Sequence, residues 1–312
     1  MRRFSRAFTF GIALLLGAAT AQAEGTPIPH GTLELIADKQ WLPRGGAIDV
    51  GLHFQLETGW HIYWVNPGDS GEPPRVEWQL PAGVAAGAVE WPTPRRFETS
   101  SSIVDYGYVD AVLLIVPLHV DSNLAAQPAA RIGADLRLLI CSHEMCIPGK
   151  AQLSLTLAVK SQAPAADARN ADLFSAARKS LPERAPANWK FSVADAKDSF
   201  VLSVDGARDP TAGREIAQAV FFPLAESQIE NSAPQKLLPQ AYGFTLTLRK
   251  SDQLLKRIER LRGVLVIFDD HAHDDHSHEG HTQENRGYLI DVSISERGTA
   301  QTGARKRSQT VQ

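Results

Sequence analysis

The chain has 312 residues, of which 21% are charged, and a formal net charge of -3. This weak negative charge offers no electrostatic attraction to nucleic acid, so we do not expect nucleic acid as a partner. The length, after removal of an N-terminal leader, suits two domains of ordinary size.

The N terminus has the three parts of a secretory signal peptide. Arg2 and Arg3 give it a positive start, an apolar run from Phe8 to Ala19 follows, and the small-x-small sequence ending at Ala23 resembles a cleavage site. This order predicts a signal peptide over residues 1–23, cleaved near Ala23, because the apolar run is too short to span a bilayer comfortably. The alternative is an uncleaved N-terminal anchor. No later segment is long and apolar enough to span a membrane, so we expect an exported, periplasmic protein.

Residues 24–160 contain short runs in which apolar and polar side chains alternate. Examples run from Ala134 to Leu138 and from Gln152 to Leu157, with Gly and Pro between the runs. A period of two between turn residues predicts antiparallel strands that form a β-sandwich or barrel.

The rest of the chain divides into three further parts. Residues 161–187 are predicted to form a linker that contains a helix from Asp167 to Leu181. The apolar face of this helix is formed by Leu173, Phe174, Ala177 and Leu181. Residues 188–296 are again strand-like, with one short helix expected near Asp252 to Leu261, and residues 297–312 predict a disordered polar tail. The chain is therefore expected to be mainly β, with two antiparallel β-sandwich domains joined by a linker that carries a short helix.

The two cysteines lie at a predicted strand–turn–strand corner. Cys141 ends an alternating strand, and Pro148 and Gly149 follow shortly after Cys146. A cysteine pair in an exported protein normally forms a disulfide, because the compartment is oxidising. Closing so short a loop stabilises a fold by only about 2 kcal/mol, which suits a disulfide that opens and closes. His143 between them would lower a neighbouring thiol pKa when protonated. The alternative is a static structural disulfide with a solvent-facing His143.

Several motifs along the chain resemble those of one protein family, and they occur in the same order as in that family. The sequence from Gly59 to Gly71, GWHIYWVNPGDSG, resembles the N-terminal periplasmic domain of DsbD-type thiol:disulfide interchange proteins, closest to the ScsB (suppressor of copper sensitivity) branch. Trp91 to Phe97, Tyr106-Gly107-Tyr108 and Cys141 to Gly149 continue the resemblance. It covers about residues 30–160.

The resemblance implies an immunoglobulin-like sandwich with a redox pair, Cys141 and Cys146. In such a pair one cysteine attacks and the other resolves the mixed disulfide, and by position Cys146 is expected to meet partners. The family also has an aromatic cap over the pair, for which Phe97, Tyr106 and Tyr108 are the candidates.

The resemblance also implies partners. Electrons would come from a membrane DsbD/CcdA-like donor and pass to periplasmic client proteins, and this exchange requires no cofactor. Family members continue into a transmembrane domain and a thioredoxin-like domain, which we do not find in this chain. We therefore expect a thiol-disulfide oxidoreductase, or the relay module of one, to which separate proteins supply those parts.

A histidine-rich segment at residues 269–281 suggests a different class of function. Five histidines alternate there with carboxylates, and clustered imidazoles bind divalent copper, nickel or zinc. They are His271, His273, His276, His278 and His281. The soft side chains of Cys141, His143, Met145 and Cys146 would suit copper(I) when the cysteines are reduced. The alternative hypothesis is therefore a periplasmic copper-binding or copper-tolerance protein, and the simpler interpretation of the segment is a solvated polar loop.

Overall fold

The computed structural model describes residues 25–100, 102–125, 127–207, 216–269 and 286–296. The predicted signal peptide, the predicted tail and residues 270–281 of the histidine-rich segment lie outside the described residues. Within the described residues, no helix is long and apolar enough to cross a membrane.

Residues 25–160 form two packed sheets, which we call the N-terminal sandwich. One sheet has the strand order β1-β2-β4-β10-β7, and the other has the order β3-β12-β11-β5-β9-β8, with β6 also paired to β11. All pairs are antiparallel except the short β3–β12 pair. The strands are β1 (Thr26–Ile28), β2 (Gly31–Ala37), β3 (Trp41–Pro43), β4 (Gly46–Leu56), β5 (His61–Gly68), β6 (Arg75–Gln79), β7 (Val84–Ala86), β8 (Arg95–Ser100), β9 (Ile103–Val109), β10 (Ala111–Val120), β11 (Ala129–Cys141) and β12 (Cys146–Lys160).

The alternating runs place one face of each sheet in a common core. On β11, Ile132, Leu136 and Ile140 point into this core, as do Leu52 and Phe54 on β4. Cys141 has the opposite parity to these β11 residues, so it lies on the outer face of its sheet. The alternation noted in the sequence therefore decides on which side of the sheet the cysteines lie.

The predicted helix is shorter than expected. Helix α1 (Ala171–Ser180) packs Phe174 and Ala177 on the outer face of β10, against Leu113 and Ile115. The expected range, Asp167 to Leu181, is too long at both ends, because Leu181 is already extended. The sequence pattern also places Leu173 on the buried face, but it is exposed, since the contact with one strand accommodates only a narrow apolar stripe.

Residues 183–296 form an eight-stranded sheet that folds over on itself, which we call the C-terminal sheet. Its order is β16-β19-β20-β14-β15-β18-β17, with β13 paired to β20. Phe200 and Leu246 from one half share a buried cluster with Phe221, Leu265 and residues near them from the other half. The strands are β13 (Glu183–Arg184), β14 (Lys190–Asp195), β15 (Ser199–Asp205), β16 (Ile216–Pro223), β17 (Lys236–Gln240), β18 (Gly243–Arg249), β19 (Arg260–Asp269) and β20 (Arg286–Glu296).

The predicted mainly-β, sandwich-like fold is thus confirmed. The sequence did not predict the short parallel pairs that β20 forms with β13 and β14. The helix expected near Asp252 to Leu261 is wrong, because this segment forms turns until β19 begins at Arg260. Leu255 is 91% exposed, whereas Leu254 and Ile258 pack against the core of the C-terminal sheet, so turns suffice to bury the apolar side chains of this segment. The predicted domain bounds stay a prediction.

Strands β16 and β19 are buried on both faces. Phe221 and Leu265 face the core of the C-terminal sheet, whereas Phe222, Val264 and Val266 join the core of the N-terminal sandwich. The Phe222 ring lies edge-on to Tyr106, with ring centroids 5.0 Å apart. The uninterrupted apolar run from Val264 to Phe268 agrees with burial on both faces, since a half-buried strand alternates.

Candidate functional site

The cysteine pair closes the β11–β12 hairpin. Cys141 and Cys146 are directly opposite each other in the register, with Cα atoms 4.1 Å apart, and they form a disulfide. Between them Ser142 holds a tight turn, because its backbone N–H donates to the Met145 carbonyl at 2.9 Å and its hydroxyl accepts from the Glu144 N–H at 3.2 Å. The disulfide therefore rests on local pairing as well as on its covalent bond.

The two sulfurs differ in access. Cys141 is 1% exposed, whereas Cys146 is exposed at the hairpin end beside Met145. Cys146 is therefore the residue of the pair that lies at the protein surface, and Cys141 is covered by its neighbours. This asymmetry is what a pair with one attacking and one resolving cysteine requires.

The outer face of the sheet around the disulfide carries two side chains of β5. His61 is the cross-strand neighbour of Cys141, and Tyr63 lies two residues further along the same face. The intervening Ile62 points into the core of the sandwich. Both His61 and Tyr63 belong to the motif that resembles the DsbD family; period-two alternation puts them on one face of β5, and the pairing of β5 with β11 brings that face to the cysteines.

Tyr63 contacts the accessible cysteine. Its hydroxyl lies 3.7 Å from Cys146 Sγ, and the side chain is fully buried. Burial raises the pKa of Tyr63 to about 12, so the hydroxyl keeps its proton and is available as a donor to sulfur. Gly71 packs against this ring with φ of 79°, and a Cβ there would overlap the ring carbon Cζ, so only glycine fits.

His61 is a neutral imidazole at ordinary pH. Burial, reinforced by the charge of nearby His143, lowers the pKa of His61 to about 4. Its ring stacks on Phe97, with centroids 5.2 Å apart, and meets Tyr63 edge-on at the same distance. Among the described residues its buried Nε2 atom has no hydrogen-bond partner.

The predicted cap residues separate into two groups. Phe97 lies on the disulfide face, because it pairs with Asp105 and stacks on His61. Tyr106 and Tyr108 point into the core, where the Tyr106 hydroxyl donates to Asn231 Oδ1 at 2.9 Å and the Tyr108 hydroxyl donates to the Pro92 carbonyl at 2.7 Å. The structure therefore brings Phe97 to the site and places Tyr106 and Tyr108 elsewhere.

The predicted metal ligands fall into two groups, the histidine-rich segment and the side chains around the cysteines. The histidines of the segment from His271 to His281 lie outside the described residues. No group of three His, Cys, Asp or Glu side chains within the described residues could hold a metal ion. With the disulfide closed, neither Cys141 nor Cys146 has a free thiolate to ligate copper. His143 is exposed on the hairpin turn, next to the cysteines as expected.

The disulfide thus lies on the outer face of an immunoglobulin-like sandwich and joins a buried residue, Cys141, to an exposed one, Cys146. Residues 34–158 match the family model described as "Thiol:disulfide interchange protein DsbD, N-terminal". This match confirms the resemblance to the DsbD N-terminal domain noted in the sequence.

A solved structure extends the likeness to most of the chain. The N-terminal periplasmic domain of ScsB from Proteus mirabilis matches with a TM-score of 0.57 and 19% identity, covering 84% of this chain and 93% of that one. At this identity the match shows a shared fold, which includes much of the C-terminal sheet. A collagen adhesin from S. aureus has a TM-score of only 0.14 and 7% identity, over 85% of this chain and 93% of that one, and carries no argument. A comparison with curated proteins finds no significant match.

Proposed function

We propose that the chain is a periplasmic thiol:disulfide interchange module, exported by a signal peptide cleaved near Ala23. It would pass electrons between a membrane DsbD/CcdA-like donor and periplasmic client proteins through a reversible Cys141–Cys146 disulfide. The observation that carries this proposal is the unequal access of the two sulfurs in a domain of the DsbD N-terminal family.

The exchange proceeds in two displacements. In the reduced module the Cys146 thiolate attacks one sulfur of a client disulfide, a new bond joins Cys146 to the client, and the other client sulfur leaves as a thiolate that takes up a proton. The Cys141 thiol then loses its proton and attacks Cys146 Sγ. The module disulfide closes, and the second client thiolate departs. The client gains two electrons, the module loses two, and the membrane donor returns the module to its reduced state.

Tyr63 and the hairpin favour the first displacement. The Tyr63 hydroxyl can donate a hydrogen bond to the Cys146 thiolate that forms on reduction, and a donor to a charged acceptor stabilises it. Burial of Cys141 keeps the second thiol away from a client until the mixed disulfide has formed. We therefore propose that Cys146 attacks and that Cys141 resolves the mixed disulfide.

A redox titration of the folded protein tests the proposal. We expect dithiothreitol or glutathione to reduce the disulfide reversibly, with a reduction potential well above the roughly -300 mV below which structural disulfides lie. Near-ultraviolet circular dichroism would monitor folding during the titration. A bridge that stays closed until the domain unfolds would show that the disulfide is structural.

The roles of the two cysteines are tested by trapping. C141S should accumulate a mixed disulfide through Cys146 when mixed with an oxidised dithiol peptide, because no resolving thiol remains. C146S should trap far less, since its remaining thiol is buried. Equal trapping by both variants would contradict the assignment.

A further inference from the structure

Asn231 of the C-terminal sheet joins three segments of the N-terminal sandwich. It is buried in the loop between β16 and β17. Its Oδ1 atom accepts from the Tyr106 hydroxyl at 2.9 Å, and its Nδ2 group donates to Asp69 Oδ1 at 2.8 Å. Its backbone carbonyl accepts from Arg96 at 3.2 Å. One residue from the far part of the chain thus holds β8, β9 and the turn after β5.

The contact with Asp69 continues towards Tyr63. Asp69 also binds β9 through its backbone and its side chain. Its N–H donates to the Val104 carbonyl at 2.9 Å, and its Oδ2 accepts from the Val104 N–H at 2.8 Å. The next residue, Ser70, donates to Asp105 Oδ1 through its N–H at 3.0 Å and through its hydroxyl at 2.9 Å. Gly71 then packs on the Tyr63 ring. The turn that covers Tyr63 is therefore anchored at Asn231.

The contact with Arg96 holds the strand that carries Phe97. Arg96 precedes Phe97 on β8, and it forms an ion pair with Glu98 on the same strand. Phe97 stacks on His61, which is the cross-strand neighbour of the buried Cys141. The Phe97 strand and the His61 ring on which Phe97 stacks form the cover of Cys141, and loss of the Asn231 side chain would loosen β9, to which that strand is paired. The Gly71 turn, which the same side chain anchors through Asp69, packs on Tyr63 beside Cys146.

We propose that Asn231 is a positioning residue that keeps this cover closed over Cys141 and so directs exchange to Cys146. The proposal rests on the proposed function of the cysteine pair, for which it supplies the regulation. A buried thiol reacts only through local opening, and the population of the open form depends on the free energy of the contacts that opening breaks. Asn231 supplies two buried side-chain hydrogen bonds and one backbone acceptor to those contacts.

The test measures alkylation of each thiol separately. The full chain, with the disulfide reduced in urea and refolded without oxidant, is treated with iodoacetamide, and the modified cysteine is identified by mass spectrometry. We expect N231A to raise the rate constant at Cys141 about 5- to 30-fold, as the loss of two buried hydrogen bonds should shift a local equilibrium. The rate constant at Cys146 should not rise, because a loosened Gly71 turn can only weaken the hydrogen bond that Tyr63 donates to the Cys146 thiolate. A Cys141 rate within twofold of the parent would overturn the proposal.

Two further variants keep the result interpretable. N188A removes a weak side-chain contact of the same sheet, the 3.4 Å bond to the Gly206 carbonyl, and should leave both rates unchanged. If N231A does not fold, N231D is used in its place. N231D keeps the oxygen that accepts from Tyr106, but it replaces the donor to Asp69 by an oxygen and so removes that hydrogen bond. N231D should also raise the Cys141 rate, and no increase would overturn the proposal. A purely structural role for Asn231 would lower the melting temperature without changing the ratio of the two rates.

The redox titration stays a separate measurement. Reduction in urea yields the thiols whether or not the folded disulfide is reversible. An irreversible disulfide would therefore refute the proposed function without deciding the role of Asn231, and unchanged alkylation would refute the role of Asn231 alone.

Discussion

The Tyr63 hydroxyl lies 3.7 Å from the sulfur of Cys146, on a side chain with no exposed surface. The two residues are far apart in sequence, and the pairing of β5 with β11 brings them together. Because burial raises the pKa of Tyr63 to about 12, the hydroxyl still carries its proton over the range around pH 8.5 in which an ordinary thiol ionises. Tyr63 therefore links the family motif at residues 59–71 directly to the chemistry of the sulfur.

Removal of this donor should make the reactive thiol less acidic. In reduced Y63F, loss of one hydrogen bond to a thiolate should raise the Cys146 pKa by about one unit. Alkylation near neutral pH should slow by a factor of up to about ten, and the rates should converge with the parent above the higher pKa. The measurement is an alkylation rate across a pH titration. Superimposed profiles for Y63F and the parent would exclude Tyr63 from this role.

His61 should make the fold sensitive to acid. Its folded pKa of about 4 lies below the ordinary value of 6.5, so the unfolded chain takes up the proton first as the pH falls. The contribution of His61 to the free energy of unfolding is complete above pH 6.5 and is lost between pH 6.5 and 4, by about 3 kcal/mol at most. H61F should lose much of this slope in urea titrations at several pH values.

A matched control distinguishes the effect of removing a buried histidine from the effect of removing an exposed one. H119Q replaces an exposed histidine on β10 and should keep the pH dependence of the parent. His53, whose pKa burial also lowers, should leave a residual slope of the same sign in H61F. Equal slopes for H61F and the parent would mean that His61 does not titrate as the structure requires.

The disulfide should contribute little to stability. Replacing Cys141 by alanine and Cys146 by serine, as C141A/C146S, should lower the free energy of unfolding by about 2 kcal/mol, the chain-entropy estimate for so short a loop. Alanine suits the buried position, because it leaves no polar group without a partner. The variant should fold and show no exchange activity. Global unfolding of this variant, seen by circular dichroism, would indicate a structural bridge.

Copper(II) or zinc binding by the histidine-rich segment is a separate proposal. Deletion of residues 271–281 should abolish most metal binding by the oxidised protein without changing the redox potential of the cysteines. Strands β19 and β20 keep a register from Arg260–Ser293 to Ile267–Arg286, and closure entropy varies slowly with loop length, so the hairpin should tolerate the deletion. Calorimetric titration measures the binding.

A second variant controls for loop length in this experiment. Replacing His271, His273, His276, His278 and His281 by serine removes the imidazoles and keeps the length of the segment. It should bind metal as weakly as the deletion does. Parent-like affinity in both variants would show that the segment is solvated surface with no part in metal binding.

The sequence was sufficient where the relevant interactions are local. Alternation predicts strands because successive side chains point to opposite faces, and the same rule puts Cys141 at a hairpin end with Cys146 opposite. The helix near residue 252 is wrong for the opposite reason, because Leu254 and Ile258 pack against the core of the C-terminal sheet from a segment of turns. Such packing is a property of the tertiary structure.

The sequence alone does not determine which aromatic side chain lies over the disulfide. Phe97, Tyr106 and Tyr108 are equal candidates in the sequence, and the register of β8 on β9 separates them, because a slip of one residue exchanges the two faces of a strand. That register includes an irregularity between Glu98 and Ser100, which alternation alone does not predict.

The sequence by itself determined most of the strand pattern, the hairpin that carries the cysteines and the resemblance of residues 34–158 to the DsbD N-terminal domain, because each depends on neighbouring residues or on a contiguous motif. Only the tertiary structure decided that Cys141 is buried and Cys146 exposed, that Tyr63 reaches the sulfur, and that Asn231 holds the cover from the other half of the chain. These features depend on contacts between residues more than 80 positions apart, and side-chain periodicity carries no information about such pairs.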